Sequence, residues 1–143
     1  MFKVNLTTSV LEKIAVDVKR PAERIGVLIG NMLDDGLWVT DIVPGDTETD
    51  ATSCVFTTAK LAKVADDILN GRIDGKIVGW YHSHPGHGLF MSETDSETQN
   101  MLLQFSPFVI AMVVEPTTNE FGIWVYDADS GLVSLPLDYL RIV

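Results

Sequence analysis

The chain has 143 residues, 46% of them hydrophobic, and a net charge of −10 from 10 basic and 20 acidic side chains. That length buries one core rather than two, so a single domain over residues 1–143 is expected. An acidic chain repels phosphate backbones, and no apolar run nears the roughly 20 residues of a bilayer span, so neither nucleic acid nor membrane is an expected partner. The N-terminus MFKVNLTTSV lacks an apolar signal core, which sets the expectation of a soluble, cytoplasmic protein. Cys54 is the sole cysteine; it rules out an intrachain disulfide or a cysteine metal cluster and reads as a buried small side chain.

Residues 2 to 6 alternate as a short strand. Val10, Leu11, Ile14, Ala15 and Val18 then recur at helical spacing after a Thr-Thr-Ser cap and stop before Pro21. ERIGVLIGNM, from Glu23, reads as an apolar strand, and Asp34, Asp35 and Gly36 turn it into GLWVTDIV as a hairpin. The polar stretch from Pro44 to Ser53 reads as a surface loop. Leu61, Val64, Ala65 and Ile68 mark a second helix, stopped by Asn70 and Gly71. KIVGWYHSH is a strand with its histidines at the C-terminal end, Pro85 to Met91 a tight loop, and Ser92 the cap of a helix from Glu93 to Leu103. FVIAMVVE, FGIWVYD and a short GLVSL close the chain as strands. This order predicts an α/β chain of the α+β type, a mixed sheet packed with helices rather than a regular alternation.

Charge is unevenly spread. No Lys or Arg falls between Arg24 and Lys60, where Asp34, Asp35, Asp41, Asp46, Glu48 and Asp50 lie, and a second gap runs from Lys76 to Arg141. Acidic loops keep a small protein soluble, and they also suit docking of a basic partner. GRIDGK, residues 71 to 76, has the wrong spacing for a phosphate loop, and DADSG, residues 127 to 131, lacks the terminal glutamate of a calcium loop, so both read as turns. Trp80 and Tyr81 read as core or wall.

The stretch GWYHSHPGHGLFMSETD, Gly79 to Asp95, is the one with chemistry in it. In an extended segment His82 and His84 project to the same side and Ser83 to the other, so both imidazoles can reach one metal. A lone strand histidine is ordinarily core or surface; two in HxH spacing are a better ligand pair. Ser92 followed three positions later by Asp95 is a helix-cap signature, and the same placement lets Asp95 turn back toward the histidines. Two histidines and one carboxylate leave a fourth zinc position for water, as hydrolysis requires. Glu23 opens an otherwise apolar strand, where a charge either faces solvent or serves as a base.

Together PAERIGVLIG, VGWYHSHPG and the Ser92/Asp95 pair resemble the JAMM metalloprotease motif of the JAB1/MPN family, and the likeness runs over nearly the whole chain. The resemblance implies an MPN fold, a mixed curved sheet flanked by helices and similar to cytidine deaminases. It implies one Zn2+ per chain on His82, His84 and Asp95, Glu23 as general acid/base toward the activated water, and Ser92 as a stabiliser of the tetrahedral intermediate. It also implies the bond after the C-terminus of ubiquitin or a ubiquitin-like modifier as the target, and leaves homo- or hetero-oligomerisation open.

The wording is similar to that of the catalytic deubiquitylating subunits of the proteasome lid and signalosome. Their loop carries an aromatic residue, Gly, Cys, Trp and Leu before the serine, whereas this chain has His87, Leu89, Phe90 and Met91. It also ends at Val143 without their long C-terminal segment, so a small prokaryotic-type member is expected. His87 is either a substrate contact or an exposed loop side chain. Two alternatives use the same family: a protease trimming the C-terminus of a ubiquitin-like sulfur-carrier precursor, and a non-catalytic MPN interaction module.

Overall fold

A computed structural model describes residues 1–45, 57–104, 106 and 108–143. The strands are β1 (Val4–Leu6), β2 (Ile25–Leu33), β3 (Gly36–Pro44), β4 (Lys76–Ser83), β5 (Ile110–Glu115), β6 (Glu120–Asp127), β7 (Gly131–Ser134) and β8 (Leu140–Ile142). The helices are α1 (Thr8–Asp17), α2 (Thr58–Leu69) and α3 (Glu93–Leu102), with a 3-10 turn at Leu137–Tyr139. The expected acidic loop beyond Gly45 and the expected buried Cys54 lie outside the described residues.

Among the described residues, eight strands join one mixed sheet in the order β7-β6-β5-β4-β2-β3-β1-β8. The α+β architecture expected from the element order is the one found. β2 pairs antiparallel with both β3 and β4, β4 runs parallel to β5, and β1 runs parallel to β3 and β8. Side-chain alternation sends strand residues to two separate cores. Val10 and Ile14 of α1 pack with Leu28, Tyr81, Ile110 and Met112 on one face. Leu61 and Val64 of α2 and Leu102 of α3 pack with Ile25, Val27, Trp80 and Ala111 on the other. β4 therefore runs between α1 on one side and α2 with α3 on the other.

Local chemistry explains the helix starts. Thr7 and Thr57 each accept the backbone N–H three residues on, at 3.2 and 3.1 Å, satisfying one donor that a helix start leaves open. Two departures from the sequence reading have a clear cause in pairing. β2 begins at Ile25 rather than Glu23, because the Arg24 N–H donates to the Ser83 hydroxyl at 2.9 Å instead of to a neighbouring strand carbonyl. β8 carries no alternating signal of its own; it exists because Leu140, Arg141 and Ile142 pair with Val4, Asn5 and Leu6 from the far end of the chain.

Candidate metal centre

His82 lies near the end of β4 and His84 one residue beyond it. The ladder does not stop with the strand: the His84 N–H donates to the Val114 carbonyl of β5 at 2.9 Å, so its backbone is held as firmly as a strand residue. Both imidazoles face α3, with ring centroids 4.6 Å apart. Trp80 stacks on His82 at 4.5 Å and 15°. Trp80 is fixed in turn, since its Nε1–H donates to Gln99 Oε1 at 2.7 Å while Gln99 Nε2 donates to the Val109 carbonyl at 2.8 Å. One glutamine of α3 thus locks the helix to β4 and to the entry of β5.

Asp95 arrives through the helix start. Ser92 Oγ accepts the Asp95 N–H at 3.1 Å, and Asp95 Oδ2 accepts the Ser92 N–H at 2.8 Å, a reciprocal capping box. The same Oδ2 lies 2.9 Å from His82 Nε2 and 3.2 Å from His84 Nε2. One ligand atom from each of the three residues falls within 4.8 Å of the other two, and all three residues are buried.

The donor set fits a divalent cation. Despite the 2.9 Å approach, His82 Nε2 makes no hydrogen bond of acceptable direction, and His82 Nδ1 and His84 Nδ1 are also buried without a partner. A buried nitrogen left unpaired costs about 1–3 kcal/mol, so convergence of such an atom with a carboxylate favours a shared ion. Protonation preferences differ between the two histidines. Burial pushes the His82 imidazole below its ordinary value, the neutral form that binds metal. Burial also opposes charge on His84, but the Asp95 carboxylate outweighs it and the net direction is up. Burial would raise Asp95; the two imidazoles beside it and the bond from the Ser92 N–H instead hold it well below the carboxylate range.

Glu23 is half-buried just ahead of β2. Its carboxyl is raised above its ordinary value, chiefly by burial, against the opposing pull of His84, with the Asp95 charge adding to the rise and His87 opposing it. Glu23, His84, Asp95 and His87 therefore share one electrostatic neighbourhood. Ser92 Oγ accepts in the cap, which leaves its O–H free to donate. His87 is exposed at the tip of the loop after His84, and Phe90, 46% exposed, packs its ring 4.7 Å from His84.

Glu115, at the end of β5, was not singled out in the sequence. It accepts the N–H groups of Gly86 at 3.0 Å, Gly88 at 3.1 Å and Thr117 at 3.0 Å, and the Thr117 hydroxyl at 2.6 Å. These bonds draw its carboxyl down to about 2. They also fix the loop that leaves the second histidine, whose Gly86 and Gly88 take φ of 78° and 83°, values that favour glycine. The sequence signal was available: an acid closing the apolar run VIAMVVE resembles Glu23 opening another. Size alone does not locate the chemistry. A cavity of ≈570 Å³ lined by Met32, Leu37, Ile68, Ile77 and Phe108 sits at the opposite end of β4.

Residues 1–107, which include Glu23, His82, His84, Ser92 and Asp95, match the family described as JAB1/Mov34/MPN/PAD-1 ubiquitin protease. The chain is 32% identical over 97 residues to the NAD(+) hydrolase TcpA of a Theionarchaea archaeon, covering 68% of this chain and 28% of that protein. It is 34% identical over 114 residues to the ubiquitin carboxyl-terminal hydrolase RPN11 of Saccharomyces cerevisiae, covering 76% of this chain and 36% of that one. The chain thus spans about a third or less of these relatives. A solution structure of a protein from Desulfitobacterium hafniense superposes with a TM-score of 0.67, covering 98% of this chain and 91% of that chain; at 22% identity the likeness shows the fold alone.

Proposed function

Since the chain belongs to the JAB1/Mov34/MPN/PAD-1 ubiquitin protease family, we propose that it is a zinc-dependent hydrolase cleaving the peptide or isopeptide bond after the C-terminus of ubiquitin or a ubiquitin-like modifier. The observation that carries this reading is the approach of His82 Nε2 and His84 Nε2 to one oxygen of Asp95, at 2.9 and 3.2 Å, in a buried setting. When bound, zinc supplies a Lewis acid that lowers the pKa of water toward neutrality. In this proposal His82, His84 and Asp95 hold the ion and leave one position open.

Glu23 takes the proton of the attacking water and returns one to the leaving amine. A carboxyl raised above its ordinary value suits both halves of that task, because it can give the proton back as readily as it took it. Ser92 donates its free O–H to the carbonyl oxygen as negative charge develops there, while its cap bonds keep the hydroxyl fixed before reaction. Phe90 lies against His84 on the rim and offers an apolar wall to the residues before the scissile bond.

The test pairs metal analysis with turnover. Purified chain is expected to hold one zinc and to cleave a diglycine-linked β-grasp modifier, whereas Glu23→Gln keeps the zinc and loses about 10²–10⁴-fold in kcat. Absence of stoichiometric zinc, or full activity of Glu23→Gln, overturns the reading. Conjugates and C-terminally extended precursors run side by side separate deconjugation from precursor trimming, and NAD+ serves as the control substrate.

A further inference from the structure

Glu23 belongs to no helix or strand, yet the proposed chemistry needs its carboxylate fixed to within a fraction of an ångström. Its neighbour supplies the restraint. The Arg24 N–H donates to Ser83 Oγ at 2.9 Å, and the Ser83 N–H donates back to the Arg24 carbonyl at 2.9 Å. Ser83 is the residue between the two histidines, so the backbone next to Glu23 is stapled to the backbone between His82 and His84.

The Arg24 side chain, only 3% exposed, runs to the opposite face of the sheet from the histidines. Its Nε and Nη2 donate to Asp17 Oδ1 at 3.1 and 3.0 Å, and Nη2 also donates to the Gly45 carbonyl at 2.9 Å. The other oxygen of Asp17 accepts the Tyr81 hydroxyl at 2.6 Å. Tyr81 reaches that far because its ring lies across Gly26, where a Cβ would clash with the ring edge and hydroxyl. One guanidinium therefore ties the end of α1, the entry of β2, the exit of β3 and, through Asp17, the middle of β4.

Burying such a pair is a poor way to gain stability. The desolvation cost of two charges commonly equals or exceeds their attraction, and well-packed neutral replacements are often as stable. What an arginine held by two N–H groups on one carboxylate oxygen does supply is direction. Ile25 pairs with His82 and Arg24 bonds to Ser83, so in the same antiparallel register Glu23 comes level with His84, and with Arg24 drawn to the α1 face the preceding residue is turned to the histidine face.

We propose that Arg24 is a positioning residue for Glu23: its guanidinium, held between Asp17 and the Gly45 carbonyl, aims the Glu23 carboxylate at the His82–His84–Asp95 group. This rests on the metal-hydrolase reading for its purpose but not for its geometry. Removing Arg24 alone would strand Asp17, so the informative variant neutralises both, Asp17→Asn with Arg24→Met, and Arg24→Lys serves as the conservative partial rescue.

Two readouts decide it. In cobalt(II)-loaded protein carrying 13C-labelled glutamate, the paramagnetic shift of the Glu23 side-chain carbons is expected to collapse in the double variant while cobalt still binds one to one. With a diglycine-linked modifier, kcat falls about 10²-fold at nearly constant KM, as a misplacement of about 1 Å produces, and Arg24→Lys recovers part of it. An unchanged Glu23 shift in the double variant overturns the proposal. A wild-type protein that binds cobalt but cleaves no conjugate or precursor defeats the hydrolase reading instead, and the cobalt shift still decides the positioning role.

Discussion

The two faces of β4 are built on opposite principles. Toward α3, His82 and, beyond it, His84 present imidazole nitrogens that are buried and unpaired, with Trp80 stacked on the first of them. Toward α1, Tyr81 and Ser83 are fully engaged, by Asp17 at 2.6 Å and by Arg24 in both directions at 2.9 Å. Successive residues of one strand thus face a side that leaves polar atoms for an ion and a side that spends every bond on geometry. The lesson is that an incomplete polar site needs a complete one behind it, because unpaired atoms otherwise relax toward each other or toward water.

The largest effect expected is on the α3 face. Asp95→Ala removes the oxygen shared by both histidines and also one arm of the α3 cap, so zinc affinity measured by competition with a chelator drops by more than the roughly 10–100-fold typical of an outer partner. If affinity is unchanged, the unpaired nitrogens have some other purpose and the contrast between the faces fails. On the α1 face, Tyr81→Phe takes a donor from the buried Asp17 carboxylate, and urea denaturation is expected to show a loss of about 1.5–3 kcal/mol with zinc stoichiometry intact. A fall in zinc affinity instead would mean the faces are not separable.

Trp80→Phe probes how rigid the metal face is. It leaves Gln99 Oε1 without its donor, for a cost of about 1–3 kcal/mol, and frees the ring that stacks on His82, so zinc affinity weakens together with stability. The smallest effect concerns pH. Glu115 is held down at about 2 from an ordinary 4.5, so the stability its bonds contribute is complete above the ordinary value and is lost as pH falls through about 2. The gap between the urea midpoints of wild type and Glu115→Gln is therefore open at pH 6 and shrinks toward zero near pH 2. A gap that does not vary with acid would show that the charge is not what holds the loop.

Much of the His82–His84–Asp95 side is legible in the sequence. HxH spacing on a strand and Ser92 three residues ahead of Asp95 are local patterns, each fixed by period two or by cap chemistry. The α1 side is not. Asp17 reads as one more polar residue of an amphipathic helix and Arg24 as part of an apolar strand, and nothing local says that they meet; 64 residues separate Asp17 from Tyr81. The strand start at Glu23 was misplaced for the same reason, since only the distant Ser83 hydroxyl diverts the Arg24 N–H. β8 was invisible because its pairing partner is the first strand of the chain.

The Glu115 clamp has a consequence for engineering. It grips the loop through the main-chain N–H groups of Gly86 and Gly88, on either side of His87, rather than through a side chain. The mounting is thus indifferent to what it carries. Position 87 can therefore be randomised as an interchangeable tip while the post that carries His84 stays put, which makes it the natural place to vary what the rim recognises by directed evolution.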